Sequence, residues 1–166
     1  MISTFLAEHA PVVRVAFWLV VIVSLAVGWL LFRLRARTAL FVLAAIGLFG
    51  AVALTMTPNG PRSGGVDCTV AFSVPFQGIE TLANVAMLLP LSLFVGLATK
   101  RPLLALLGAS GFSAVIELVQ ALMPVIGRAC DTNDWFMNSV GAVVGSLGAF
   151  GILALDRRRK AVEPSL

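Results

Sequence analysis

The side chains able to move a proton or grip a charged group fall into three short runs. Glu80 and Asn84 form the first, Glu117 and Gln120 the second, and Arg128, Asp131, Asn133, Asp134 and Asn138 the third. Carboxyl groups supply general acids and bases. Carboxamides orient a bound molecule through both a donor and an acceptor, and a guanidinium matches phosphate or carboxylate through a two-pronged contact. The catalytic candidates are therefore Glu117, Asp131 and Asp134, and the candidate binding residues are Arg128, Gln120, Asn84, Asn138 and Glu80. The single histidine, His9, lies far along the chain from both cysteines, Cys68 and Cys130. That separation supports neither a cysteine–histidine nucleophile nor a zinc site. Glycine motifs for phosphate loops or dinucleotides are missing as well, so no metal and no cofactor are expected.

The elements that carry these runs are apolar. Of 166 residues 59% are hydrophobic and only 12% charged, with a mean hydropathy of +0.99. A soluble domain is closer to one-quarter charged, and a disordered chain needs low hydrophobicity and high net charge. Both classes are excluded. Five continuous apolar stretches, Pro11 to Phe32, Thr38 to Met56, Ile79 to Ala98, Leu103 to Met123 and Trp135 to Leu155, each approach the roughly 20 residues that a helix needs to cross a bilayer. They lack the alternation of a transmembrane β-barrel. The first span follows Glu8 and His9 rather than a basic segment and shows no small-residue cleavage site, so it reads as a retained helix. The expected fold is an all-α polytopic bundle of about five transmembrane helices, a single membrane domain over residues 1–166.

Basic residues in short loops set orientation. Arg33, Arg35 and Arg37 follow span one, Lys100 and Arg101 follow span three, and Arg157, Arg158, Arg159 and Lys160 follow span five. These segments share one side, expected to be the cytoplasm of a multi-pass cell-membrane protein, which puts the amino terminus outside and the carboxyl terminus inside. Nine of the twelve Lys and Arg residues are thereby assigned to topology, and nucleic acid is not expected as a partner. The opposite loops, residues 57–78 with many Pro and Gly and the polar 124–134, hold one cysteine each. On an oxidising face this favours a Cys68–Cys130 disulfide over two free thiols.

With this orientation the three polar runs share the outer half of the membrane. Glu117 lies about 9 Å below Met123, and Asn84 about 10 Å below Gln77, at 1.5 Å of helix per residue. Asn138 follows Asp134 by one turn. A carboxyl group at that depth is costly to ionise unless a cation pairs with it, which suits it to proton exchange. The alternative is structural: such groups bond across helices, Arg128 clasps Glu117 or Asp131, and Asp134 caps span five. Gly141, Gly145 and Gly148, with Gly108 and Gly111 on span four, point to close helix packing without specifying an oligomer. Pro90 points to a kink in span three.

Two stretches carry a resemblance. Asn84-Val85-Ala86-Met87-Leu88-Leu89-Pro90-Leu91-Ser92 is similar to the asparagine-to-proline stretch of the VanZ-like membrane protein family. Glu117-Leu118-Val119-Gln120, Gly127-Arg128-Ala129-Cys130-Asp131-Thr132-Asn133-Asp134 and Asn138-Ser139-Val140-Gly141 resemble its principal signature, the whole running over about 80–148. Ser92 replaces the usual glycine, and Asn133 stands where a third aspartate is often found, which weakens any metal held by that run. The resemblance implies a site lined by Glu117, Gln120, Arg128, Asp131, Asp134 and Asn138, with Asn84 facing them. It also implies a link to low-level teicoplanin resistance and to lipid head-group processing. Membrane lipids and a lipid-linked cell-wall precursor are the expected partners. A non-catalytic binder of a lipid, antibiotic or wall intermediate is the alternative.

Overall fold

The computed structural model describes residues 10–58 and 68–162. Glu8, His9 and Arg62, with the neighbouring Gly60, Pro61, Gly64 and Gly65, lie outside the described residues. Five helices make up most of what is described: α1 (Ala10–Arg33), α2 (Arg37–Met56), α3 (Ile79–Thr99), α4 (Pro102–Leu122) and α5 (Thr132–Val162). Each is long and apolar enough to cross a membrane.

Local chemistry sets the bounds. After α1 the Arg35 N–H bonds the Phe32 carbonyl and the Ala36 N–H bonds the Leu31 carbonyl. With Arg35 at φ 57°, this is the left-handed stop in which glycine is usual. The α3–α4 turn is similar: Lys100 takes φ 58°, and Pro102 opens α4 at a position where its missing N–H is harmless. Pro90 sits inside α3 without ending it.

The fifth helix departs from expectation at both ends. It starts at Thr132 rather than Trp135, because the Asp131 carboxylate accepts the Asn133 N–H at 2.8 Å and acts as the cap. Asp134, expected to cap, lies within the first turn. At the other end α5 continues to Val162, with Lys160 paired to Asp156 one turn earlier at 2.7 Å. Its 31 residues span about 46 Å at 1.5 Å each, well beyond a hydrocarbon core of about 30 Å.

Helix α3 is the centre of the bundle and packs against each of the other four. Val85, Leu88, Leu89 and Leu93 on it are completely enclosed. Lipid provides no hydrophobic force between helices, so association depends on close approach. Gly141 and Gly145 of α5 provide it: a Cβ at Gly141 would strike the Val85 carbonyl, and one at Gly145 the Leu89 carbonyl and the Ser92 hydroxyl. Gly148 faces Leu25 of α1. The expected packing role of Gly108 and Gly111 does not hold, since both are exposed with nothing near them. The buried stripe of α4 runs instead through Ala105, Ala109, Ser113, Glu117 and Gln120.

At the end of the bundle where α3 begins, Cys68 and Cys130 are joined by a disulfide with Cα atoms 4.5 Å apart. There β1 (Cys68–Thr69) pairs in parallel with β2 (Cys130–Asp131). The Ala71 N–H then donates to the Thr132 hydroxyl and the Ser73 N–H to the Asn133 carboxamide oxygen. Phe72 meets Phe136 edge-on and Phe76 meets Phe17. Residues 68–76 thus form a strap tied to the start of α5.

Candidate functional site

Beneath the strap, α3, α4 and α5 bring polar side chains together from separate parts of the sequence. Glu117 is a buried residue of α4, only 7% exposed. One carboxylate oxygen, Oε2, accepts the Asp131 backbone N–H at 2.8 Å. A buried carboxylate needs such a donor, because the desolvation penalty is otherwise uncompensated. Asp131 therefore acts three ways at once: its amide holds Glu117, its side chain caps α5, and its strand residue pairs with Thr69.

Across from it, Asn84 of α3 donates its carboxamide N–H to Asp134 Oδ1 at 2.5 Å. One turn deeper, Asn138 is almost fully enclosed, and its Nδ2 donates to the Ser113 hydroxyl at 2.9 Å. The Asn138 carbonyl oxygen has no hydrogen-bond partner among the described residues. Below that level Ser110 and Ser139 are bonded at 2.8 Å. These contacts tie α3 to α5 and α5 to α4 at one end of the bundle.

Arg128 and Gln120 turn toward α2. The Arg128 Nε donates to the Thr57 carbonyl at 3.2 Å and its Nη2 to the Leu54 carbonyl at 3.0 Å. Gln120 Nε2 donates to the Thr55 carbonyl at 3.0 Å. The last carbonyls of a helix have no partner within it, and a cation there also complements the helix dipole. Among the described residues no ion pair joins Arg128 to Glu117 or Asp131, so the expected clasp is replaced by a cap on α2. Glu80 lies exposed at the rim, one turn before Asn84. Among the described residues no group of three or more His, Cys, Asp or Glu is placed to hold a metal.

Sequence reasoning missed Ser113, the partner of Asn138. Its signal was present, because Ser113 precedes Glu117 by four residues and Gln120 by seven and so falls on the same helical face. The backbone of Asp131 as the donor to Glu117 had no signal in residue types at all.

A family model described as VanZ/LLP1 matches residues 15–154, far more of the chain than the motifs between 80 and 148. No curated protein and no solved structure matches the chain.

Proposed function

The chain belongs to the VanZ/LLP1 family, and from that premise we propose a membrane protein that acts on the head group of a lipid-linked phosphate or cell-envelope precursor at the outer leaflet. The observation that carries this reading is Glu117: a carboxylate inside the bundle, held by one backbone donor, in a layer shared with Asn84, Asp131, Asp134 and Asn138. A proton carrier and orienting amides at head-group depth are what cleavage or exchange of a phosphate-linked head group requires. Arg128 supplies the cation. Its two contacts with α2 fix the guanidinium in place and commit two of its five N–H donors, and the others serve the phosphate. The basic end of the bundle faces the cytoplasm in this reading, and the strap faces outward.

Lipid analysis of a deletion strain complemented with wild-type protein or with Glu117→Gln tests the proposal. Glutamine keeps an oxygen for the Asp131 N–H but cannot carry the proton, so the variant inserts normally and accumulates the same lipid species as the deletion. Wild-type lipid profiles in both strains, together with no turnover of lipid phosphates by purified protein, would overturn it.

One observation favours a second reading, a binder that leaves its ligand unchanged. Asn84, Gln120 and Asn138 each donate to a protein acceptor, which suits a rigid receptor. Saturable lipid or glycopeptide binding without chemical change, with altered teicoplanin susceptibility on deletion, is its expected outcome.

A further inference from the structure

At the end of the bundle opposite the disulfide, the α1–α2 turn, the α3–α4 turn and the last turns of α5 surround a cavity of about 1070 Å³. Arg33, Arg35 and Arg37 line it from the first turn and Lys100 from the second. Arg158, Arg159 and Lys160 line it from α5. Among the described residues Asp156 is the one carboxylate in the lining, and it is bonded to Lys160. The remaining wall is apolar, through Leu31, Phe32, Leu40 and Leu97. A smaller space of about 100 Å³ between Trp29, Ile152 and Leu155 shares Phe32, Arg33, Asp156 and Arg159 with it. A cationic compartment therefore adjoins a smaller one walled on one side by Trp29, Phe32, Ile152 and Leu155.

Membrane topology accounts for basic residues near span ends, but not for their gathering around one space. Arg101 and Arg157 carry the same topological charge and do not line it. Two lining residues also occupy backbone positions that favour glycine. Arg35 and Lys100 both take a left-handed conformation, which glycine adopts without steric penalty. At both turns the chain has a long cationic side chain where the backbone alone calls for none.

We infer that this cavity is a binding site for an anionic phospholipid of the adjoining leaflet, with a head group bearing a doubly charged phosphate. The cations outnumber what one singly charged phosphodiester would neutralise. Arginine forks match phosphate oxygens, and basic pockets between transmembrane helices are suited to such head groups. The apolar wall of the adjoining space suits the start of an acyl chain. This site is separate from the polar layer beneath the strap and does not depend on the reading of that layer.

The test is native mass spectrometry of the purified full-length protein, titrated with dioctanoyl phosphatidic acid or dioctanoyl phosphatidylcholine, with inorganic phosphate as competitor. One phosphatidic acid is expected to bind saturably, in preference to phosphatidylcholine and undisturbed by phosphate at equal concentration. Arg35→Gln with Lys100→Gln should weaken it on the order of tenfold or more, while Arg101→Gln with Arg157→Gln, an equal loss of charge outside the lining, should leave it within about twofold of the wild type. Equal weakening by both pairs would reduce the effect to general charge and overturn the site. Equal retention of the two lipids would also overturn it, and displacement by equimolar phosphate would overturn the choice of a lipid over a soluble anion.

Discussion

Arg128 shows how a single side chain can be recognised as important while its contacts remain hidden. Its residue type and its place among acids invite an ion pair, yet its Nε and Nη2 bond the Thr57 and Leu54 carbonyls at the end of α2. Sequence displays side chains but not the unsatisfied carbonyls of a distant helix end, so this partner was illegible. Arg128→Ala should lower stability by about 1.5–3 kcal/mol, the usual range for hydrogen bonds to a charged group. Arg128→Lys should recover only part of that, since an ammonium cannot span both carbonyls in one plane. Thermal unfolding in detergent reads both. The same limit applied to Glu117: its three-residue spacing to Gln120 put both on one face of α4, whereas its backbone donor depended on how the loop after α4 returns.

Helices were the most legible elements, because continuous apolar runs bounded by Arg, Lys, Pro or Gly leave few alternatives in a bilayer. Their ranking was not legible. The peripheral α1 and α2 are the more apolar helices, while the central α3 carries Asn84 and Ser92. Glycines were legible as small residues but not by the direction they face. Gly145 touches the α3 backbone, whereas Gly108 faces open space. Gly145→Ala should destabilise the bundle by about 1–3 kcal/mol through overpacking, and Gly108→Ala should be neutral or slightly stabilising through helix propensity. Paired denaturation curves of the two variants check the contrast, and equal effects would mean that α5 does not sit so close to α3.

For the molecule as a whole, the disulfide and the strap it anchors join the loop before α3 to the loop before α5, across 62 residues of sequence. Placing one cysteine on each loop of a single face made this pairing readable from topology alone. The hydrogen bonds from residues 71 and 73 to Thr132 and Asn133 were not readable. Removing the bridge by Cys68→Ser with Cys130→Ser should cost roughly 2–4 kcal/mol, and the loss should match that caused by reductant acting on the wild type. If the loss is confined to the strap, limited proteolysis near residues 68–76 should accelerate while the five helices remain protected.

Because α1 and α2 touch each other little and both lean on α3, synthesis order matters. The first hairpin should leave the translocon with its docking faces unmet and wait in lipid until the third segment arrives to recruit it. A nascent chain truncated at residue 78, followed by a soluble tether long enough to fill the ribosomal tunnel, should insert two spans that cross-link poorly to each other. One truncated after residue 101 with the same tether should gather all three.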